Sequence, residues 1–353
     1  MTPSNFAARA ARARKILAID FGGLGDHLHS LPALWLLRRS CPNAELHVLV
    51  GSASVPLMQH LTPWIDRALG YDKRGWRGDL AMLKQLRAAH YDAVIVITAS
   101  NHAVAFAGLS AAPLRLARRA DSNKRWFWQP WLLTKSVAYP FHTEPMYRQR
   151  WQVLRLAGFD DGSAAPLRLQ PDFPLAIAPE LRRAQGIAPA DDKTYLHLSA
   201  SATDDLRDLP PTQMIALWNA LHAAFPAHKI AVSGNPGERG QRKLQALLAG
   251  LTFTPWKVFA GTLNVPQFIS VVQGAALHAG PDSGGLHVAR IAGTPSVSWF
   301  RPNHHIRNWL PDEPGHIAFI APESRPDGLY GLDTAKLVGA AQTLVSGTAH
   351  ISN

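Results

Sequence analysis

The sequence predicts an α/β protein of two domains, each built around a parallel β-sheet. Apolar strands alternate with helices from residue 16 to residue 98, and the same alternation restarts at residue 195. Such alternation is typical of a parallel sheet with helices on both faces. A length of 353 residues fits two domains of ordinary size. The prolines from Pro171 to Pro174 mark the expected hinge, which gives domains 1–172 and 173–353.

The individual elements follow from apolar runs and helical spacing, with turn residues at their ends. The first half is predicted to contain strands at Ile16–Phe21, Glu45–Val50, Ala68–Tyr71 and Ala93–Thr98, and helices at His27–Arg39, Pro56–Ile65, Asp79–Ala89 and Tyr147–Ala157. The second half is predicted to contain strands at Tyr195–Leu198, Lys229–Ser233, Ala275–Gly280 and Ser296–Phe300, and helices at Pro211–Ala224, Gly240–Ala249, Asn264–Gly274, from near Gly285, and at Thr334–Leu344. The region from residue 115 to residue 139 is less regular.

The composition predicts a cytosolic protein with an acidic partner. Cys41 is the single cysteine, which excludes an internal disulfide framework and a multi-cysteine metal site. No apolar run approaches the roughly 20 residues of a membrane span, and Met1–Lys15 lacks the apolar core of a secretory signal. The formal net charge of +11 favours nucleic acid, an anionic membrane or a phosphorylated substrate as partner. No nucleic-acid motif supports the first of these, so we expect no nucleic acid.

Two clusters mix basic and aromatic side chains. Their basic residues are Lys73, Arg74 and Arg77 around Trp76, and Arg118, Arg119 and Arg125 near three further tryptophans. Basic and aromatic side chains together suit a membrane interface or a phosphorylated lipid. Solvated loops with tryptophans packed below them are an equally good interpretation.

A strand–turn–helix stretch in the second half carries the strongest site signal. It contains Asp282, Ser283, Gly284, Gly285 and His287, with an acid, a hydroxyl and two glycines at the start of a helix. Glycine lets the backbone approach a ligand closely, and the free N–H groups of a helix start attract negative charge. The stretch therefore predicts an anion site, although an ordinary strand–turn–helix corner has the same pattern.

The glycine-rich turn after the first strand places Asp26 at a helix start. The turn does not match a dinucleotide fingerprint, because Leu28 stands where the third glycine is required. Ligands of parallel sheets bind at the carboxyl ends of strands, so Asp26 is a candidate general base. Alternatively, Asp26 is a carboxylate at the helix start that stabilises the helix through its dipole.

Further candidates follow other strands of the second half. The hydroxyls of Ser199 and Ser201, together with Arg207, suit a diphosphate, because the guanidinium fork matches phosphate oxygens. Glu238 can accept hydrogen bonds from a ribose diol, or it can cap the helix that follows it. The histidine pairs, such as His27 and His29, have no carboxylate at ligand spacing, so no metal site is expected.

These motifs, in this order, resemble glycosyltransferase family 9, the heptosyltransferases of lipopolysaccharide core assembly. The resemblance covers roughly residues 15–302. The stretches that carry it are Ile16-Leu17-Ala18-Ile19, Gly23-Leu24-Gly25-Asp26, Leu31-Pro32-Ala33-Leu34, Asp282-Ser283-Gly284 with His287, and Gly293-Thr294-Pro295. The second signature, at Asp282, is the more specific of the two, and both occur at the family's separation.

The resemblance implies a GT-B fold, in which two Rossmann-like domains face each other across a cleft, with the last helix packing back on the first domain. It implies an inverting transfer from ADP-heptose, as co-substrate, to an acidic lipopolysaccharide-core acceptor at the inner membrane surface, without a cofactor or metal. Asp26 matches the family's proposed base, and Glu238 matches the acid that holds the ribose. Arg207-Asp208-Leu209-Pro210 departs from the family's usual Lys-Arg-Trp-Pro.

Two rival functions remain open at this point. One is a nucleotide-sugar-binding protein without catalysis. The other is an autotransporter heptosyltransferase, which modifies protein, and the single cysteine argues against the multi-cysteine iron site of that group. The sugar, the acceptor position and the oligomeric state are not fixed by the sequence.

Overall fold

The chain folds into two compact units, residues 1–176 and residues 177–353. The computed structural model describes residues 3–73, 75–98, 100–119, 129–160, 162, 167–170, 172–303 and 305–349. Pro171, at one end of the expected hinge, lies outside this set, as do Arg74 and Arg125. Within the described ranges, no helix is both long and apolar enough to cross a membrane.

The first unit is a six-stranded parallel sheet with helices packed on it. Its strands are β1 (Lys15–Ile19), β2 (Glu45–Val50), β3 (Arg67–Gly70), β4 (Ala93–Val96), β5 (Leu114–Arg119) and β6 (Lys135–Ala138). Its helices are α1 (Pro3–Ala10), α2 (Leu24–Ser40), α3 (Val55–Leu61), α4 (Trp76–Ala88), α5 (Asn101–Leu109), α6 (Gln129–Leu132) and α7 (Met146–Leu156). The strand order is β3-β2-β1-β4-β5-β6, and all neighbours are parallel.

The second unit repeats this architecture. Its parallel sheet comprises β7 (Tyr195–Ser199), β8 (Lys229–Gly234), β9 (Lys257–Ala260), β10 (Leu277–Pro281), β11 (Ser296–Phe300) and β12 (His316–Ile320), in the order β12-β11-β10-β7-β8-β9, and a hairpin of β13 (Glu323–Arg325) and β14 (Gly328–Tyr330) follows. Its helices are α8 (Pro179–Arg183), α9 (Pro211–Ala224), α10 (Glu238–Ala249), α11 (Val265–Gly274), α12 (Gly284–Ala292) and α13 (Thr334–Ala349). Leu337 and Ala341 are buried in the core of this unit, which also contains Leu217, so α13 packs on α9 of its own unit.

Burial on both faces explains why the central strands are continuously apolar. Ile16, Leu17, Ala18 and Ile19 of β1 are all fully buried, because α-helices cover both sides of the sheet. In each unit the chain leaves a strand at its carboxyl end and enters a helix, as at the turn between β1 and α2. All the strand ends of a parallel sheet lie at the same edge, so the polar residues that follow them are brought together there.

Candidate donor and acceptor sites

The best-defined site lies at the carboxyl edge of the second sheet, at the start of α12. Ser283 caps this nine-residue helix in an extended conformation, and Gly284 and Gly285 form its first turn. A Cβ on Gly285 would lie 3.0 Å from His278 Cε1, so a larger residue would require this buried ring to shift by a few tenths of an ångström. The first N–H groups of a helix have no partner within it, and they therefore favour an anion at this position.

Arg207 lies directly beside this helix start. Its Nη1 donates to the carbonyl oxygen of Asp282 at 3.4 Å and lies 3.8 Å from Asp282 Oδ2. Its Nε lies 3.2 Å from Asp204 Oδ2, and 39% of its side chain remains exposed. The structure thus brings a partly exposed guanidinium to the helix start that the sequence predicted as an anion site.

The two titratable residues at this helix start are both strongly affected by burial. Burial raises the pKa of Asp282 to about 6, and Asp204 acts in the same direction while Arg207 and Arg290 oppose it. Burial, followed by the charges of Arg290 and Arg207, holds the pKa of His287 well below its usual value. His287 is therefore a neutral imidazole, which packs against Trp309 with 5.4 Å between the ring centroids.

Replacing Asp282 with asparagine should stabilise the unliganded protein at about pH 8 by roughly 2–3 kcal/mol. The pKa of Asp282 in the folded state, about 6, exceeds the value near 3.9 of an unfolded chain. The folded state therefore loses stability as pH rises from about 4 to about 6, and the neutral amide avoids this loss. Urea unfolding of both proteins at several pH values measures the difference. If the stability difference between the variant and the wild type does not shrink towards pH 4, it does not arise from the raised pKa of Asp282.

The other predicted donor residues follow neighbouring strands of the same sheet. Ser199 ends β7, and the buried Ser201 Oγ has no hydrogen-bond partner among the described residues. Glu238 begins α10, and its highly exposed carboxylate pairs with Arg242 at 2.6 Å. Among the described residues, Arg207 forms no hydrogen bond or ion pair with Ser199, Ser201 or Glu238, so the structure brings together only part of the predicted donor set.

A buried carboxylate that sequence reasoning missed supports the loop before α9. Asp208 Oδ1 accepts a hydrogen bond from Ala202 N at 2.6 Å, and its Oδ2 lies 2.6 Å from Lys243 Nζ and 3.1 Å from Arg239 Nη2. Burial raises the pKa of Asp208, although Lys243, Ala202 N and Arg239 oppose the shift. Its neighbour Arg207 is therefore carried on a loop fixed to β7 and α10.

The candidate base of the first unit is held by an arginine from a distant helix. Arg150 Nη2 of α7 donates to Asp26 Oδ1 at 2.7 Å, and its Nη1 donates to the carbonyl oxygen of Asp26 and to Ser30 Oγ. Asp26 Oδ2 accepts from Gly23 N at 3.2 Å, since α2 begins at Leu24, three residues before the predicted start. About one third of the Asp26 side chain is exposed. Both roles predicted for Asp26 are thus compatible with its position.

A second, fully buried carboxylate lies next to this group. Asp20 Oδ2 lies 3.0 Å from His27 Nδ1, and both side chains are inaccessible to solvent. Burial alone would raise the pKa of Asp20, but His27, Arg150 and Ser30 outweigh it and lower that pKa. The turn that carries Asp26 is therefore fixed by the buried hydrogen bond between His27 and Asp20 below it and by Arg150 beside it.

The predicted acceptor residues divide into exposed and buried ones. Lys73, Arg77 and Arg119 are exposed. Arg118 is buried and donates to the carbonyl oxygens of Tyr139 and Pro140 and to Gln149 Oε1, which favours a structural role for it. The other two residues of the predicted clusters lie outside the described ranges, as noted above. Within those ranges, no group of three potential metal ligands occurs.

Comparison with known proteins places this architecture in a family. Residues 80–314 match the model of glycosyltransferase family 9 (heptosyltransferase). Lipopolysaccharide heptosyltransferase 3 of Escherichia coli is 22% identical over 309 residues, which are 85% of this chain and 87% of that protein.

Solved structures show the same fold over nearly the whole chain. A glycosyl transferase family 9 structure from Veillonella parvula has a TM-score of 0.78 at 18% identity and covers 95% of this chain and 97% of its own. The E. coli heptosyltransferase WaaC, solved with ADP, has a TM-score of 0.73 at 16% identity, covering 94% and 99%. The predicted α/β fold of GT-B class is confirmed. Because the family model matches more than half of its length, this chain belongs to glycosyltransferase family 9 and is a glycosyltransferase of the heptosyltransferase type.

Proposed function

We propose that this enzyme transfers a heptose from ADP-heptose to an acidic lipopolysaccharide-core acceptor, with inversion at the anomeric carbon. The observation that carries the proposal is the position of the Arg207 guanidinium beside the helix start at Ser283 and Gly284. An arginine and free backbone N–H groups are well suited to bind a diphosphate. The E. coli heptosyltransferase WaaC was solved with ADP, which supports the same choice of nucleotide.

In the proposed reaction, Asp26 takes the proton from the acceptor hydroxyl. The acceptor oxygen forms a bond to the anomeric carbon while the bond from that carbon to the diphosphate oxygen breaks on the opposite face. ADP leaves with the bonding electron pair, and Arg207 together with the N–H groups of α12 stabilises its negative charge. Arg150 keeps the Asp26 carboxylate in one orientation, through its 2.7 Å contact with Oδ1.

Arg207 and the start of α12 offset part of the diphosphate charge. We therefore propose that turnover needs no metal, and that it persists in excess EDTA. Glu238 is the proposed partner of the ribose hydroxyls, since its carboxylate is exposed and its ion pair with Arg242 is open to solvent. An exposed pair of this kind contributes little to stability, so a ligand can replace it at low cost.

Turnover of ADP-heptose with a lipopolysaccharide-core acceptor tests the function, and the anomeric configuration of the product tests the inversion. Binding of ADP without turnover on any acceptor would identify a nucleotide-sugar-binding protein instead. Transfer to protein alone would indicate a heptosyltransferase of the autotransporter type. Purified enzyme in solution is sufficient for all three measurements.

Replacing Arg207 with alanine should raise the KM for the donor by about 10–100-fold, because a hydrogen bond to a charged group contributes about 1.5–3 kcal/mol. Arg207→Lys should have an intermediate effect, since lysine keeps the charge but lacks the planar fork. The matched control is Arg183→Ala, which removes an exposed arginine of α8 in the same unit. Equal donor KM values for Arg207→Ala and the control would contradict the assignment.

A further inference from the structure

An apolar groove opens between α4 and α5 in the first unit. Trp76, Leu80 and Leu109 line it, and they are 70%, 44% and 45% exposed. The groove has a volume of about 710 Å³, and Leu83, Ala105 and Phe106 complete its apolar lining. Large apolar side chains that are exposed together, and not singly, mark an interaction surface.

Helix α4 packs one face on the core and carries two exposed apolar side chains beside that face. Met82 and Leu86 are buried and point towards the sheet. Trp76, Leu80 and Leu83 recur at intervals of four and three residues, so they form a stripe beside this face. Leu83 packs against the core at the inner end of the stripe, whereas Trp76 and Leu80 are exposed and remain available to a partner.

Basic side chains accompany this stripe. Arg77 and Lys84 are exposed and seven residues apart, so they lie along one side of the stripe, and Lys73 lies at its start. The Arg77 guanidinium lies 5.3 Å from the centroid of the Trp76 ring. Basic residues beside an exposed tryptophan and leucines match an anionic, amphiphilic partner in both charge and polarity.

The acid in the groove, Asp79, is held by two neighbouring side chains. Asp79 Oδ1 lies 3.2 Å from His102 Nε2 and accepts a hydrogen bond from the Tyr71 hydroxyl. The same hydroxyl lies 3.2 Å from His102 Nε2, so the three side chains form one closed group on the groove wall. Burial, followed by Asp79, raises the pKa of Tyr71, so the hydroxyl remains a hydrogen-bond donor to this carboxylate.

The groove begins at the same edge of the sheet as Asp26. Helices α4 and α5 start after the carboxyl ends of β3 and β4, and α2, which carries Asp26, starts after β1. The rings of Phe21 and Tyr71 lie 5.4 Å apart, so aromatic packing connects the groove to the residue that precedes the Asp26 turn. A partner bound along α4 would therefore approach the edge at which the acceptor hydroxyl is proposed to react.

We infer that the α4–α5 face docks on an anionic lipid surface, with Trp76, Leu80 and Leu109 in the interfacial layer and Lys73, Arg77 and Lys84 at the phosphates. This inference is based on the apolar groove and on the basic residues beside it. It builds on the proposed function, because a docked enzyme presents Asp26 to a lipid-borne acceptor. Tryptophan favours the boundary between headgroups and acyl chains, and each basic residue near an anionic surface adds to the attraction.

Co-sedimentation of the full chain with vesicles tests this inference. We expect binding to phosphatidylcholine vesicles that contain phosphatidylglycerol, and much weaker binding to phosphatidylcholine alone or at high salt. The double variant Trp76→Ser/Leu80→Ser should bind about tenfold more weakly or worse. The matched control is Leu156→Ser, which removes an exposed leucine of α7 in the same unit. Equal binding by the double variant and the wild type would overturn the inference, as would equal binding to neutral vesicles.

Two further measurements separate this inference from the proposed function. The double variant should keep its turnover on a water-soluble, deacylated acceptor and lose at least about tenfold on the same acceptor embedded in vesicles. Loss of turnover by the double variant on the soluble acceptor would count against the assigned role of α4. If the wild type binds vesicles but shows no turnover, that result would count only against the proposed reaction. Sedimentation velocity without lipid tests whether a second copy of this chain covers the face instead. A dimer that the double variant dissolves would show that a second copy covers this face, and it would overturn lipid docking.

Discussion

Asp26→Asn should lower kcat by about 10²–10⁴-fold, the usual contribution of a positioned general base. The amide has nearly the size of the carboxylate and can still accept a hydrogen bond from Arg150 through its oxygen. It cannot take a proton from the acceptor hydroxyl, so the loss should fall on kcat and leave ADP affinity unchanged. Steady-state kinetics and ADP titration of the purified variant measure both quantities. Unchanged turnover would refute the role of Asp26 as base.

Folding of the variant needs a separate check, because Asp26 also accepts a hydrogen bond from Gly23 N within the first turn of α2. Asp160→Asn is the matched control, since Asp160 pairs with Arg155 of α7, the helix that supplies Arg150. We expect the control to keep normal turnover. If Asp26→Asn loses turnover and ADP binding together, its carboxylate has a structural role instead.

The sequence predicts Asp26 but not the arginine that holds it. A glycine-rich turn between an apolar strand and a helix is a local pattern, and it identifies Asp26 without tertiary information. Arg150 lies 124 residues away, in a helix that contains two other arginines, Arg148 and Arg155. Helical spacing shows that this residue is on a helix, but only the packing of α7 on α2 determines which arginine reaches the turn.

The same distinction between local and tertiary information explains where the structure differs from the predicted fold. The apolar runs of β1 and β4 are predicted because both of their faces are buried. Strand β5 is missed because its sequence, Leu114–Arg119, contains three arginines, one of which is Arg118. Arg118 is buried in this strand because carbonyl oxygens of the following chain accept its hydrogen bonds. No periodicity in the sequence predicts that carbonyl oxygens will satisfy a buried arginine at this position.

In the second unit, the sequence identifies the residues that face the proposed ligand better than those that support them. Arg207 and the stretch from Asp282 to Gly285 follow strand ends, where ligands of parallel sheets bind. Arg290 and Glu313 are missed, although they form a buried pair with two contacts of 3.0 Å. This pair ties α12 to the segment that contains Trp309, on which His287 packs. A single arginine and a single glutamate 23 residues apart carry no pattern that predicts their pairing.

His27→Leu should lower the free energy of unfolding of the first unit by about 3–5 kcal/mol, because it leaves the buried Asp20 carboxylate without its hydrogen-bond partner. His27 and Asp20 are both fully buried, and the leucine side chain has a similar volume, so the cost arises from the Asp20 carboxylate and not from a cavity. Arg150 and Ser30 still oppose the effect of burial on the Asp20 carboxylate in the variant, which favours the lower end of this range. Hydrogen exchange of the β1 and α2 amides as a function of denaturant reports on this unit alone.

The pH dependence of this loss identifies its cause. In the wild type the folded-state pKa of Asp20 is lowered, so its stabilising contribution is present above the unfolded value of about 3.9 and disappears as pH falls below it. In His27→Leu, burial acts on Asp20 without its main opposing partner and should raise that pKa. The variant then regains stability as pH falls from about 7 towards about 4, and its deficit against the wild type shrinks. The double variant Asp20→Asn/His27→Leu should show no such recovery, because it has no carboxylate to protonate. A deficit that is constant with pH would mean that the loss comes from packing around His27 and not from the unpaired charge of Asp20.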